Sequence, residues 1–147
     1  MKLLELLNSK VAYKVARHTD TKYEETATID GKQIVFQCET SWIDDHNFPS
    51  WEIAFMTERG KYEDGKTAFS IKKTGSGREL KIFAFVVEAI HRFVAACKPE
   101  AFHFSADNDE PSRVKLYAAL ARRFKDSDYT QESMQKYGYT SWRFTRK

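Results

Sequence analysis

An α/β fold built on a mostly antiparallel sheet with one parallel strand pair is predicted for this chain, and three observations predict it. Asp30-Gly31 sits between two runs of alternating polarity, Tyr23 to Ile29 and Gln33 to Glu39, the strongest short-range pattern for a hairpin. A strand-like run from Thr67 to Lys73 precedes a glycine turn and a long apolar helical run, Glu79 to Cys97, after which Ala101 to Ala106 reads as another strand. A strand, helix, strand order of that kind makes the two strands parallel and the crossover right-handed. Length supplies the third: 147 residues with 41% apolar and 14% aromatic content suit a single domain over residues 1–147 with a substantial core.

The elements follow in order. Leu3, Leu4, Leu6 and Leu7 predict a short amphipathic helix, and Val11 to Val15 alternates like a strand. Beyond the Asp-Gly hairpin, Asp44 to Ser50 is a polar loop containing Pro49, and Trp51, Ile53 and Phe55 share one face of a strand from Trp51 to Thr57. Gly60, Asp64 and Gly65 make Glu58 to Lys66 a turn, so that Thr67 to Lys73 closes an antiparallel meander. The helix from Glu79 to Cys97 is apolar around much of its circumference, which predicts burial against the sheet, and Lys98-Pro99 stops it. Asp107 to Glu110 supplies capping groups and Pro111 suits a first helical turn; Val114, Tyr117, Ala118, Ala121 and Phe124 then form a helical stripe. Asp126 to Lys136 is polar and ambiguous, and Tyr137-Gly138-Tyr139 leads to a last strand, Ser141 to Arg146.

Composition narrows the function classes. A net charge of +3 is too small to imply a nucleic-acid partner without clustering. Two cysteines, Cys38 and Cys97, give neither a disulfide framework nor metal-ligand spacing, and they suit a reducing cytoplasm. His18, His46, His91 and His103 show no ligand spacing either, so no metal is expected. The leucines of Met1 to Leu7 are broken by Glu5 and fall far short of a membrane span.

The stretch that carries chemistry is Lys72-Lys73-Thr74-Gly75-Ser76-Gly77-Arg78. Glycines let a backbone approach a ligand closely, and the first turn of a helix leaves N–H groups without internal partners, so an anion placed there meets aligned donors and the positive end of the dipole. Lys72, Lys73 and Arg78 add charge. A dinucleotide fingerprint is excluded because Leu80 stands where its third glycine belongs, and no Gly-Lys-Ser/Thr follows to make a P-loop.

Basic-x-x-Gly-x-Gly before a central helix resembles the acetyl-CoA pyrophosphate motif of the GNAT acyltransferase superfamily, and the order of elements from about residue 11 to 147 is similar to that topology. Leu116-Tyr117 and Gly138-Tyr139 resemble two further family signatures. Phe104-Ser105-Ala106, Ser112-Arg113 and Thr74 to Gly77 also look like a group of small phage-encoded GNAT-like proteins, which would place the chain in a host cytoplasm. The resemblance implies six or seven strands, with the central helix on one face and the later helix on the other. It implies acetyl-CoA or another acyl-CoA as cofactor and an amine, free or on a protein, as acceptor. Thr74, Gly75, Ser76, Gly77 and Arg78 would hold the pyrophosphate with Lys72 and Lys73, Phe69, Ile71 and Phe104 would line pantetheine, Arg113 would join the cofactor site, and Tyr117 would protonate the leaving thiolate. Glu52 and Glu58 are candidate bases by position alone.

Two departures stand out: Glu110 occupies the place of the family's asparagine, and only Arg17 to Lys22 separates the first two strands, where acceptor-shaping helices usually lie. Tyr117 also lies on the apolar stripe of its helix, so a packed tyrosine is the competing reading. A second function class is a non-catalytic GNAT-like protein that binds a host protein or nucleic acid. Arg113, Lys115, Arg122, Arg123 and Lys125 on one helix, with Arg143, Arg146 and Lys147, could follow phosphates, and Tyr137, Tyr139 and Trp142 could stack on bases.

Overall fold

Among the residues that the computed structural model describes, 11–41, 50–57, 62–63, 66–67, 78–124 and 127–147, the chain forms nine strands and two helices. They are β1 (Tyr13–His18), β2 (Lys22–Ile29), β3 (Lys32–Ser41), β4 (Ser50–Thr57), β5 (Tyr62–Glu63), β6 (Lys66–Thr67), α1 (Arg78–Cys97), β7 (Ala101–Asp107), α2 (Pro111–Arg122), β8 (Tyr129–Lys136) and β9 (Tyr139–Arg146). Seven strands make one sheet in the order β1-β2-β3-β4-β7-β9-β8, and β5 pairs with β6 separately. The predicted N-terminal helix lies outside the described residues. The chain divides into two compact units, Met1–Gln37 with Ala54–Cys97, and Cys38–Ile53 with Lys98–Lys147.

In the first unit, Asp30 and Gly31 have φ of 50° and 80°, so both central residues of the β2–β3 turn are left-handed. That geometry matches the right-handed twist of the flanking strands, and it is why an Asp-Gly pair sits there. Helix α1 packs on β2, with the Phe93 ring 5.7 Å from that of Tyr23. Ile82, Phe85, Val86, Ala89, Ile90 and Phe93 are all buried, as the apolar pattern predicts. Two acidic residues of β2, Glu24 and Glu25, are also buried. Glu25 is fully buried; Arg92 Nε donates to both its carboxylate oxygens at 3.1 Å, and Nη2 donates to Oε1 at 2.8 Å. The Tyr23 hydroxyl donates to Oε2 at 2.5 Å, and the guanidinium lies 3.6 Å over the Tyr13 ring.

In the second unit β7 is the central strand. It pairs parallel with β4 through Trp51↔Phe102 and Glu52↔His103, and antiparallel with β9 from Ala101↔Thr145 to Asp107↔Tyr139. The parallel partner is therefore β4, whereas the sequence pattern assigns that place to Thr67–Lys73. Burial explains the difference, since β4 contributes Trp51, Ile53, Phe55 and Met56 to the interior. Of the expected strand only Thr67 is described, paired in β6 with Tyr62, and residues 68–77 lie outside the described residues.

The polar segment before Tyr137 also becomes a strand. β8 pairs with β9 from Tyr129↔Arg146 to Lys136↔Tyr139. It is an edge strand whose residues after Tyr129 are exposed, so it carries no apolar alternation to reveal it. Tyr137 and Gly138, with φ of 55° and 80°, build the same kind of turn as Asp30-Gly31.

Helix α2 covers one face of β7 and β9. Tyr117, Leu120, Ala121 and Phe124 are buried there with Phe102, Phe104, Trp142 and Phe144, and the Phe102 and Phe144 rings stack 4.7 Å apart. Leu120 replaces Val114 and Ala118 as the deeper part of the predicted stripe. Glu110 takes the N-cap position without a side-chain capping bond, and Asp107 Oδ1 accepts instead from the Asp109 N–H at 2.9 Å. At the exit from α1, Lys98 is left-handed with φ of 46°; the Tyr129 hydroxyl donates to the Pro99 carbonyl at 2.6 Å, and Arg146 Nη2 donates to the Lys98 and Pro99 carbonyls.

Candidate functional site

Period-two alternation sends Phe102, Phe104 and Ala106 into the core under α2, and their neighbours His103 and Ser105 to the opposite face. Strand pairing then extends that face sideways. Glu52 on β4, His103 on β7, Arg143 on β9 and Glu132 on β8 are registered partners in one row across four strands. A second row runs Ser105, Ser141, Met134, and the two serine hydroxyls are 2.8 Å apart. His103, Ser105, Glu132, Met134, Ser141 and Arg143 line a cavity of about 230 Å³.

His103 is fixed from behind and in front. Its Nδ1 is 2.7 Å from the hydroxyl of Ser50, which is fully buried at the start of β4, and its Nε2 is 3.9 Å from Glu52 Oε2. The Ser41 hydroxyl in turn donates to the Ser50 carbonyl at 3.3 Å. In the neutral ring with Nδ1–H donating to Ser50, Nε2 is free to accept a proton, and the protonated ring then presents an N–H to Glu52. Hydrogen bonding from His103 holds the Glu52 carboxyl below its ordinary value, burial acts in the opposite direction, and the charge of a protonated imidazole adds to the lowering. A 3.9 Å separation is long for a direct hydrogen bond, so we read a charge pair with room for one bridging water.

Other sequence-predicted residues are distributed differently. Tyr117 is buried, its ring edge-on to Phe104 at 5.3 Å and to Trp142 at 6.3 Å. Phe104 belongs to the same aromatic cluster, so its side chain is taken up by the core. Arg113 is buried on α2 and makes an ion pair with Glu110 at 3.3 Å. Glu58, Phe69, Ile71, Lys72, Lys73, Thr74, Gly75, Ser76 and Gly77 lie outside the described residues; Arg78 opens α1 directly after them. Trp142 is buried and not a base-stacking platform, whereas Tyr137 and Tyr139 are exposed. Sequence reasoning missed Ser50, His103 and the β8–β9 residues. Only strand register, which joins β4 to β7, β7 to β9 and β9 to β8, reveals them.

No group of three metal-ligating side chains occurs among the described residues, and no helix among them is long and apolar enough to cross a membrane. No family model and no curated protein matches the sequence. Among solved structures, the chain is similar to the crystal structure of the GNAT domain of S. lividans PAT, with a TM-score of 0.53 and 14% identity over 88% of this chain. The match spans 64% of that chain. The protein therefore has a GNAT-like fold: a seven-stranded mixed sheet with one parallel pair and two helices among the described residues.

Proposed function

We propose that the protein is an N-acyltransferase that uses acetyl-CoA or a related acyl-CoA and acts on an amine. The observation that carries this reading is the cluster of Glu52, His103 and Ser50 at the parallel β4–β7 pairing of a GNAT-like fold. The acyl-CoA supplies an activated thioester. Helix α1 begins at Arg78 immediately after Gly75-Ser76-Gly77, so its first N–H groups are of the type that binds phosphate, and Lys72, Lys73 and Arg78 supply positive charge in the same stretch.

The chain's own residues divide the remaining work. The ammonium gives one proton to solvent before attack; His103, held by Ser50, accepts the second as the N–C bond forms, and Glu52 stabilises the imidazolium so formed. As the new N–C bond forms and the C–S bond breaks, the Tyr117 hydroxyl is the proposed proton donor to sulfur; its ring packs on Phe104 and Trp142 on the α2 side of β7, opposite His103, so the thioester would have to lie between the two faces. Glu58 stays a second candidate base by position. Imidazole suits proton transfer near neutral pH better than a carboxylate whose affinity for protons is lowered.

The test is a calorimetric or thermal-shift titration with acetyl-CoA and CoA. Saturable binding is expected, and Gly77→Asp should abolish it by placing bulk and negative charge at the phosphate position. Absence of any saturable response in the folded wild-type protein would end the acyltransferase reading.

A further inference from the structure

The cavity on the face of β7, β9 and β8 that carries His103 and Ser105 has a chemical polarity that transfer to an unspecified amine does not require. His103, Arg143 and Glu132 of its lining stand in one row, which Glu52 continues beside His103, so the row alternates carboxylate, imidazole, guanidinium, carboxylate. Two acids flank a base and a cation. A purely cationic amine would meet Arg143 at the centre of the row, and a purely anionic ligand would meet Glu52 or Glu132 at either end. A molecule carrying one positive and one negative group close together is complementary to both.

We infer that this cavity recognises a free α-amino acid, pairing the ligand's carboxylate with Arg143 and its ammonium with Glu52, the carboxylate beside His103. Arginine presents five donors in a planar fork, so it can take a ligand carboxylate while retaining another contact. The second row contributes Ser105 and Ser141, whose paired hydroxyls can each donate or accept, and the Met134 side chain as an apolar wall. At about 230 Å³ the cavity is smaller than the roughly 300–1,000 Å³ typical of pockets for drug-sized ligands, which suits a small metabolite. Placing the ammonium between Glu52 and His103 puts the nucleophilic nitrogen beside the proposed base. In that respect the inference rests on the acyltransferase reading and names its acceptor class, but the binding itself does not depend on CoA.

Isothermal calorimetry of the full chain with the common α-amino acids, in the absence of CoA, tests it. At least one should bind saturably, while its amide, which lacks the carboxylate, and its N-acetyl derivative, which lacks the ammonium, should each bind about tenfold or more weakly. Arg143→Gln should weaken binding by about 10- to 100-fold. Ser105→Phe, which fills the cavity from an exposed position, should abolish binding and keeps the test decisive should the arginine variant fail to fold. Lack of saturable binding by every amino acid, equal binding of the amide or N-acetyl form, or unchanged affinity in a folded variant would overturn the inference. Acetyl-CoA titrated separately distinguishes the two readings: amino-acid binding without acetyl-CoA binding keeps the cavity and ends the transferase, and the converse does the opposite.

Discussion

Replacing Arg92 by Met strips the guanidinium from a carboxylate that has no exposure to solvent. Three Arg92 hydrogen bonds to Glu25 are lost, at 2.8, 3.1 and 3.1 Å, and only the Tyr23 hydroxyl stays on the carboxylate. Breaking a buried ion pair by removing one partner costs about 3–5 kcal/mol, because the other charge remains uncompensated. The Arg92 side chain is 25% exposed while that of Glu25 is 0% exposed, so part of the pair is already solvent-screened and the lower end, about 3 kcal/mol, applies. Loss of the contact with the Tyr13 ring acts in the same direction. For a chain of this length that corresponds to a fall in melting temperature of about 6–12 °C. Urea denaturation gives the free energy, and amide exchange along β2 places the loss. The double variant Glu25→Leu/Arg92→Met should recover most of it, since apolar replacement of both partners is often neutral. A loss below about 1 kcal/mol for Arg92→Met, the size expected of a surface pair, would refute the reasoning.

Three further outcomes are expected. In His103→Gln the Glu52 carboxyl should titrate higher, toward the ordinary 4.5, by NMR; Glu52's share of stability is present above that value and disappears as pH falls through the folded one, so an unchanged titration would remove His103 as the cause. Tyr117→Phe should leave acetyl-CoA affinity near wild type and slow transfer by about 100- to 10,000-fold if the hydroxyl protonates sulfur, while an equal rate makes Tyr117 a packing residue. Tyr137→Asn relieves a left-handed, 85% exposed aromatic, and should raise stability by about 0.5–1 kcal/mol, read as a melting-temperature gain of about 1–4 °C.

Local patterns determine much of this protein by themselves. The Asp30-Gly31 turn, the buried central helix and the strand at Ala101 follow from left-handed backbone preference, helical apolar spacing and alternation, each of which acts over a few residues. The resemblance to GNAT proteins was likewise legible in short motifs, and the fold comparison agrees with it. Pairing was not legible. Which strand lies parallel to β7 depends on what β4 buries, and β8 joins the sheet through backbone hydrogen bonds that need no apolar residue of its own. The candidate site shares that origin: nothing in the sequence joins Glu52, His103, Arg143 and Glu132, and sheet register alone brings them into one row, with Ser50 against His103. Tertiary structure also decided that Trp142 and Tyr117 are buried, because helix α2 closes over the face of β7 and β9 that carries Phe104 and Trp142.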